Sequence, residues 1–524
     1  MRLSLGRAAL CLLSTSLPAA SLGAQEVRYE LRIADLDKSL GSVTATFPTQ
    51  GKDTVELFLP VWSPGFYRIE NYHEQVTDFA ARDIAGKLLE VTQPRPNRWR
   101  IATQGATAVV ASYTLMCKRA SVTHNQITPR FAVFCGPATL VGEVGAAPRA
   151  HSVQVALPVG WQVSACGLPA AGDGRAHHYI ARDYDWLLDS PIVLGDIATT
   201  TFDVLGARHE WAQFGDAGAW DTKLLVKNLQ PIATELCSTF GVVPFDRYVF
   251  LAGFRHANGG LEHLASTLIS VNQRQRPDDP GFLSFVAHEY AHAFNVKRLR
   301  PRELGPFDYE NPPSTPSLWI SEGLTTWYGD LALARSGTLT ATAWLGMVSG
   351  HIRGLQGSPG RRRQTLADAS LSVWTGSMSG TGGDPRLTIS YYVKGPVVGF
   401  VLEARMRVAT AGKFGLDEVM RRAYARYSGA EGFQPEQFEA IAGEVAGSSQ
   451  QAFFDRALRS TDELDYGEAL AWYGLRFHAV EAEAPREQRW LLEVAESANA
   501  EQREHLRVLL APTPVPSSPV PLTK

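Results

Sequence analysis

Two histidines and one glutamate in His288-Glu289-Tyr290-Ala291-His292 have the spacing of a metal site that could carry out hydrolysis. On an α-helix, residues four apart lie on one face, so both imidazoles can reach a single ion. Glu289 would stand beside a water molecule at that ion and act on it as a general base. A structural pair of hydrogen-bonded histidines is the alternative interpretation. The sequence therefore predicts a hydrolytic metal centre, provided that the segment is helical.

The residues around this HExxH sequence predict that it lies on a helix. Asp278-Asp279-Pro280 precedes it, and acidic groups and a proline suit the start of a helix. Apolar side chains recur at near-helical spacing on both sides of the histidines: Phe282, Phe285, Val286 and Phe294.

Glu322 is the best candidate for a third ligand, since a catalytic zinc ion normally takes three protein ligands and leaves a fourth position for water. It follows His292 by thirty residues. Prolines between residues 312 and 316 interrupt the chain, and we predict a second helix from Ser317 to Arg335 that stops at Ser336-Gly337. The alternative is an ordinary carboxylate at a helix start, favoured by the helix dipole.

The segment Gly259-Gly260-Leu261-Glu262-His263 is a candidate substrate-binding element. It lies between two predicted strands, Arg247 to Phe254 and Thr267 to Val271, just before the HExxH helix. The glycines let the backbone approach a ligand, and Glu262 could hold a positive charge, which in a zinc peptidase would be the free amino group of a peptide. A glycine-rich hairpin turn with exposed charges is the alternative.

Tyr392 is a candidate for stabilising a reacting carbonyl. It belongs to Ser390-Tyr391-Tyr392-Val393-Lys394-Gly395, which follows a glycine-rich loop. A tyrosine hydroxyl near zinc could donate to the oxyanion that forms when water attacks a carbonyl. Tyr391 is the adjacent candidate for this role, and both tyrosines could instead be half-buried aromatic residues at a helix start.

The composition is that of a soluble protein with several domains. The chain has 524 residues, of which 45% are hydrophobic and 20% charged, and its length exceeds a single hydrophobic core. A net charge of −3 gives no reason to expect binding to nucleic acid. No segment after the N-terminus has the continuous apolar length of a membrane span, so we expect no stable membrane insertion.

The N-terminus predicts export. Arg2 and Arg7 precede an apolar run from Ala8 to Leu13, and small residues follow as far as Ala24. We therefore expect a signal peptide over residues 1–24 and, in a bacterium, a periplasmic or secreted protein. Four cysteines would remain after cleavage, and the sequence leaves open whether they form disulfides or buried free thiols: Cys117, Cys135, Cys166 and Cys237.

The pattern along the chain predicts an α+β protein with several domains. Short alternating runs separated by glycine and proline indicate a β-sandwich-like domain over residues 25–205. Helical spacing then dominates a second domain over residues 206–470. A short C-terminal segment follows over residues 471–511, and the proline-rich tail, 512–524, is expected to be disordered.

The motifs together resemble the glycyl aminopeptidase family of metallopeptidases with an HExxH sequence and a glutamate ligand (gluzincins). The resemblance rests on His288 to Arg298 (HEYAHAFNVKR), Ser321-Glu322-Gly323, Gly259 to His263 and Trp62-Ser63-Pro64-Gly65-Phe66-Tyr67. It implies an N-terminal β-domain followed by a thermolysin-like zinc metallopeptidase domain with a helical C-terminal part. Members commonly carry a C-terminal PDZ domain, for which too little of this sequence follows Asp465-Tyr466-Gly467.

The resemblance also implies roles for single residues. One zinc ion would be held by His288, His292 and Glu322, with Glu289 as the general base. Glu262 would bind the amino terminus of a substrate at a glycine-lined site formed with Gly259 and Gly260, and Tyr392 would stabilise the oxyanion. The expected function is zinc-dependent removal of N-terminal residues from peptides, small ones such as glycine or alanine. A thermolysin-like endopeptidase and a catalytically silent peptide-binding protein are the alternatives, and the oligomeric state stays open.

Overall fold

The computed structural model of the chain describes residues 26–272, 274–375, 384, 386–479, 485 and 488–515. The predicted signal peptide, the glycine-rich loop at 376–383 and residues 516–524 of the tail lie outside these residues.

Residues 26–196 form the β-rich part of the protein. Its strands are β1 (Val27–Asp35), β2 (Leu40–Pro48), β3 (Thr54–Phe58), β4 (Val76–Asp83), β5 (Val91–Arg95), β6 (Arg98–Ala102), β7 (Ala108–Met116), β8 (Gln126–Ile127), β9 (Phe131–Phe134), β10 (Gly142–Glu143), β11 (His151–Ala156), β12 (Val163–Ala165), β13 (His178–Ala181) and β14 (Ile192–Gly195). They form a six-stranded sheet, β13-β11-β1-β2-β7-β4, and two four-stranded sheets, β10-β3-β6-β5 and β12-β14-β9-β8. Two short helices, α1 (Gly136–Thr139) and α2 (Tyr184–Leu188), connect strands.

Alternating burial explains why this part folds as sheets. In β2, Val43, Ala45 and Phe47 are buried while their neighbours are partly exposed, which is the period of a strand with one face against a core. Apolar residues from all three sheets join one core. The predicted β-rich N-terminal domain is confirmed.

A mixed five-stranded sheet opens the second part of the protein, residues 197–515. Its strands are β15 (Ile197–Val204), β16 (Ala207–Gly215), β17 (Arg247–Phe254), β18 (Gly260–Glu262) and β19 (Ser266–Val271). Their order is β15-β16-β17-β19-β18, with β16, β17 and β19 parallel and β18 antiparallel at one edge. The predicted boundary after residue 205 falls within the β15–β16 hairpin. By sheet membership the second part starts at Ile197, because β15 pairs along its length with β16.

Helices pack on this sheet and on one another around a second core. The expected helical C-terminal part is confirmed. The helices are α3 (Thr222–Phe240), α4 (Pro280–Ala291), α5 (Thr325–Arg335), α6 (Ala341–Gln356), α7 (Leu366–Leu371), α8 (Tyr391–Ala409), α9 (Leu416–Tyr427), α10 (Pro435–Ala446), α11 (Gln451–Leu458), α12 (Gly467–Tyr473) and α13 (Ala500–Leu509). Among the described helices, none combines the length and the apolar character that crossing a membrane would require.

The C-terminal segment packs back on the helical core. Two short antiparallel strands, β20 (Leu475–Phe477) and β21 (Leu492–Val494), precede α13. Beyond α13, the backbone N–H of Thr513 donates to the buried carboxylate of Glu235 (3.0 Å), beside Arg335. Thr513 belongs to the tail for which the sequence predicts disorder, and its contact with Glu235 is a tertiary interaction that local sequence does not reveal.

All four cysteines of the described residues are buried free thiols: Cys117, Cys135, Cys166 and Cys237. Burial raises the pKa of each to about 12, so these groups are neutral and unreactive packing residues. Of the two alternatives, the structure favours the free thiols.

Candidate active site

Helix α4 contains His288 to Ala291 of the HExxH sequence, and His292 follows as its C-terminal cap with right-handed helical dihedral angles. The local pattern predicts this helix, which ends before Phe294. The Asp279 side chain caps it by accepting a hydrogen bond from the backbone N–H of Phe282 (2.8 Å), and Pro280 occupies the first turn. Val286 and Phe282 are buried in the core and fix the rotation of the helix. The cap and the buried face together direct His288 and His292 toward the segment that contains Glu322.

Glu322 lies in a π-helical turn, Trp319–Leu324, that leads into α5. The sequence predicts a continuous α-helix here. In the structure, the segment instead begins with this wider turn, which contains Glu322. Such turns are rare and frequently occur at functional sites. Gly323 lets this turn approach α8 closely, since an added Cβ would lie 2.6 Å from Cα of Gly395.

Three donor atoms from α4 and the π-helical turn converge. Nε2 of His288 and Nε2 of His292 are 2.9 Å apart, and they lie 3.5 and 3.3 Å from Oε2 of Glu322. Donors about 2.0–2.1 Å from a tetrahedral zinc ion would be separated by about 3.3 Å. The spacing and the two-nitrogen, one-oxygen donor set fit zinc. Within the described residues, no other group of three His, Cys, Asp or Glu side chains meets this geometry.

Hydrogen bonds behind the histidines set the tautomers that zinc requires. Nδ1 of His292 donates to the backbone carbonyl of Asn295 (3.0 Å), which leaves Nε2 as a lone-pair donor. Nδ1 of His288 lies 3.2 Å from the Thr326 hydroxyl, which itself donates to the carbonyl of Glu322 (3.0 Å). Thr326 therefore accepts from His288, and one hydroxyl links two of the three candidate ligands.

The electrostatics of the site favour a cation. Burial opposes the charge on Glu322, yet His292 and His288 hold its pKa well below the ordinary value. Burial also opposes a charged His292, yet Glu322, Glu262 and Glu289 raise its pKa to about 10. Each of these three acidic groups therefore favours a positive charge at His292.

Glu289 packs against the edge strand β18. An added Cβ on Gly260 would lie 2.4 Å from Oε1 of Glu289, so glycine is needed for the carboxylate to fit against the strand. Burial raises the pKa of Glu289 to about 8, which is near the range that suits a general base at neutral pH.

Glu262 ends β18 as a buried carboxylate. Its Oε1 has no hydrogen-bond partner among the described residues, and an added Cβ on Gly65 of the β-rich part would lie 2.3 Å from that oxygen. Gly260 belongs to the same strand. Gly259 is in the left-handed region (φ 87°) with open space around it, so it shapes the turn rather than a close contact. The alternative of exposed charge on a hairpin is wrong for Glu262.

The two adjacent tyrosines differ in burial. Tyr391 is fully buried, and its hydroxyl has no hydrogen-bond partner among the described residues. Tyr392 is only partly buried, and its ring centroid lies 6.0 Å from that of His288. Burial and the charge of Glu322 raise the pKa of Tyr392 well above its ordinary value, so it keeps its proton. Its position favours Tyr392 as the group that faces a substrate.

Tyr67 is a site residue to which the sequence pattern gives no role. Its hydroxyl donates to Oε1 of Glu322 (3.5 Å) from the β-rich part, and its ring packs edge-on against Trp374. In the sequence, Tyr67 is marked only as the last residue of the segment Trp62 to Tyr67, which carries part of the family resemblance. Neither periodicity nor spacing could indicate its distant partner.

We expect Gly323→Ala to reduce stability and to disturb the metal site. The new methyl group would collide with the backbone of α8, and overpacking of this kind costs about 1–3 kcal/mol. Gly346→Ala is the matched control, because Gly346 lies on the exposed face of α6 with nothing within 4 Å of an added Cβ. That change should stabilise by roughly 0.5–1 kcal/mol. Urea unfolding of both variants measures the difference, and equal stabilities would contradict the close approach.

Two regions of the chain match models of one peptidase family. Residues 28–196 match the Peptidase M61 N-terminal domain, and residues 281–398 match M61 glycyl aminopeptidase. The second match contains the HExxH sequence, Glu322 and Tyr392. The two matches together cover more than half of the 524 residues. The chain belongs to the M61 glycyl aminopeptidase family. The family resemblance is confirmed, and the chain is a metallopeptidase of the aminopeptidase class.

No curated protein sequence matches it.

Solved structures share the architecture. An aminopeptidase N family protein from Idiomarina loihiensis is 26% identical over 86% of this chain and 78% of its own, with a TM-score of 0.80. A mutant M1 zinc metallopeptidase from Deinococcus radiodurans, bound to a Tyr-Ser-Ala substrate, is 13% identical over 84% and 94%, with a TM-score of 0.57. Yeast LTA4 hydrolase in complex with bestatin is 14% identical over 84% and 68%, with a TM-score of 0.53. At these identities the last two show the fold of M1 metallopeptidases alone.

Proposed function

We propose that this M61 enzyme removes single residues from the free amino terminus of peptides, with zinc held by His288, His292 and Glu322. One observation carries the proposal: a complete zinc donor set stands near a buried carboxylate, Glu262, whose Oε1 has no hydrogen-bond partner among the described residues. The donor set supports metal-assisted hydrolysis. The free carboxylate oxygen supports recognition of an ammonium group, which an endopeptidase would not need.

Each residue of the site has a separate task in this proposal. Zinc, when bound, supplies a Lewis acid that polarises the scissile carbonyl and lowers the pKa of water. Glu289 accepts a proton from the attacking water and passes it to the leaving amine. Tyr392 donates a hydrogen bond to the oxyanion as it develops. Glu262 accepts hydrogen bonds from the substrate ammonium, beside the backbone of Gly260.

The family points to small N-terminal residues, glycine or alanine, as the preferred substrates. The turn at Gly65 supports this preference, because its backbone lies directly against the Glu262 carboxylate. A peptide amine bound at that carboxylate would have the turn close to its own Cα.

The experiment compares peptides that differ only at the amino terminus. A peptide with N-terminal alanine and its N-acetylated copy are incubated with the zinc-loaded enzyme, and mass spectrometry identifies the products. We expect the free peptide to lose one residue and the blocked peptide to stay intact. Internal cleavage of both would indicate an endopeptidase. Zinc binding without hydrolysis of a broad peptide panel would indicate a peptide-binding protein.

Tyr392→Phe is expected to lower kcat by about 10²–10³-fold, the usual effect of removing one oxyanion donor. Tyr391→Phe is the matched control, since that hydroxyl is buried without a partner among the described residues, and we expect little change. Steady-state kinetics on one alanyl substrate compares the two variants. The reverse result would assign the role to Tyr391.

We also propose that the enzyme acts outside the cytoplasm. The support is the N-terminal pattern of Arg2, Arg7 and the apolar run that follows them. Amino-terminal sequencing of the purified natural protein tests the expected cleavage near Ala24.

A further inference from the structure

A buried ion pair joins the two parts of the protein next to Glu262. Nζ of Lys297 lies 2.8 Å from Oδ1 of Asp189, and the Lys297 side chain is only 6% exposed. Asp189 follows α2 in the β-rich part, whereas Lys297 follows His292 and donates its backbone N–H to the His292 carbonyl (3.0 Å). The pair is therefore fixed at one end to the HExxH segment and at the other to the β-rich part.

Asp189 has two further partners in the second part of the protein. Besides Lys297, it accepts from the backbone N–H of Leu264 (2.7 Å) and lies 3.1 Å from Nδ1 of His263. Three donors on one carboxylate hold its position firmly. The Lys297 ammonium consequently has a fixed position as well.

The same ammonium lies 3.9 Å from Oε1 of Glu262. This distance is within reach of charge–charge attraction but longer than a hydrogen bond. Burial raises the pKa of Glu262, and the charge of Lys297 opposes that shift. Five other titratable groups of the described residues interact with Glu262: His292, Glu289, Glu322, Tyr67 and Tyr248. Glu262 thus has a compensating cation nearby, while Oε1 makes no hydrogen bond to the described residues.

We propose that Lys297, held back by Asp189, is a positioning residue for substrate amines: it compensates the buried charge of Glu262 without occupying Oε1, and so leaves that oxygen for the substrate ammonium. The inference rests on the proposed role of Glu262. It makes the β-rich part a contributor to substrate recognition through Asp189, in addition to the contact of Gly65 with the Glu262 carboxylate.

The test measures binding of two small ligands that differ only in the amine. Alanine hydroxamate and propionohydroxamate share a zinc-binding group, but the second lacks the α-amino group. Calorimetry on the zinc-loaded full chain gives the Kd of each, and their ratio is the amine preference. We expect Lys297→Met to reduce this preference by about tenfold or more, because a buried Glu262 without its compensating cation would be neutralised and could no longer make a charge-assisted hydrogen bond to the amine. The Kd of propionohydroxamate and the zinc content should stay unchanged.

Two further variants keep the test decisive. Asp189→Asn should also reduce the preference, because a released Lys297 could pair directly with Glu262 and compete with the amine. If Lys297→Met does not fold, the double variant Asp189→Asn, Lys297→Met removes both charges of the ion pair together. We expect the same loss of amine preference in the double variant. An unchanged preference in any folded variant that lacks Lys297 would overturn the inference.

Glu262→Gln separates this inference from the proposed function. Loss of amine preference in Glu262→Gln together with an intact preference in Lys297→Met would reject only the role of Lys297. An intact preference in Glu262→Gln, or no preference in the unmodified enzyme, would reject the amine-binding role of Glu262 itself.

Discussion

Glu289→Gln is expected to lower kcat by about 10²–10⁴-fold while zinc stays bound, because the change removes a general base and keeps the volume of the side chain. The carboxylate packs against Gly260 and lies between the two histidines in sequence, and it is not one of the three converging donors. The amide should therefore fit in the same place, and both the fold and the donor set should persist.

Kinetics and metal analysis on the same preparation check this expectation. Glu431→Gln, a change of the same type at an exposed position, is the control and should leave both quantities unchanged. Near-normal turnover by Glu289→Gln would contradict the general-base assignment. Loss of zinc would instead indicate that Glu289 takes part in metal binding.

Glu322→Ala is expected to abolish tight zinc binding and, with it, hydrolysis. Two imidazoles alone would be left to hold the ion, in a site where Glu322 supplies the nearest negative charge to both Nε2 atoms. Removal of a residue that only hydrogen-bonds a metal ligand lowers metal affinity by about 10–100-fold. We expect Glu322→Ala to lower zinc affinity by more than that.

Thr326→Val is the comparison variant and is expected to cause a smaller loss of zinc affinity. It removes the hydroxyl that lies 3.2 Å from Nδ1 of His288 but leaves all three donors in place. Competition with a chelator measures zinc affinity in both variants, and zinc should raise the unfolding temperature of Thr326→Val but not of Glu322→Ala. Equal affinities in the two variants would contradict the assignment of Glu322 as a ligand.

The sequence predicts those parts of the site whose structure depends on residues close to one another in the chain. Asp279, Pro280 and the apolar spacing predict α4, because caps and a buried face act within one helix. Glu322 could be proposed because a zinc ion needs a third ligand and a helix start offered one. The π-helical turn around Glu322 could not be predicted, since it depends on the close approach of Gly323 to Gly395 on another helix.

The sequence pattern does not identify the site residues that come from distant parts of the chain. Tyr67 and Gly65 lie more than a hundred positions before the HExxH sequence, and nothing in their spacing indicates Glu322 or Glu262. The Asp189–Lys297 pair likewise forms only through the packing of the two parts. The boundary predicted after residue 205 falls within the β15–β16 hairpin for a related reason: β15 has the alternation of the strands before it, and only its pairing with β16 assigns it to the second sheet.

Titration of the metal-free enzyme with zinc, while hydrolysis of an alanyl peptide is followed, tests the central claim most directly. The three-donor site predicts a rate that rises in proportion to added zinc and levels off at one ion per chain, with no such rise in Glu322→Ala. Full activity in enzyme from which all metal has been removed, or restored activity in Glu322→Ala at the same zinc concentration, would contradict it.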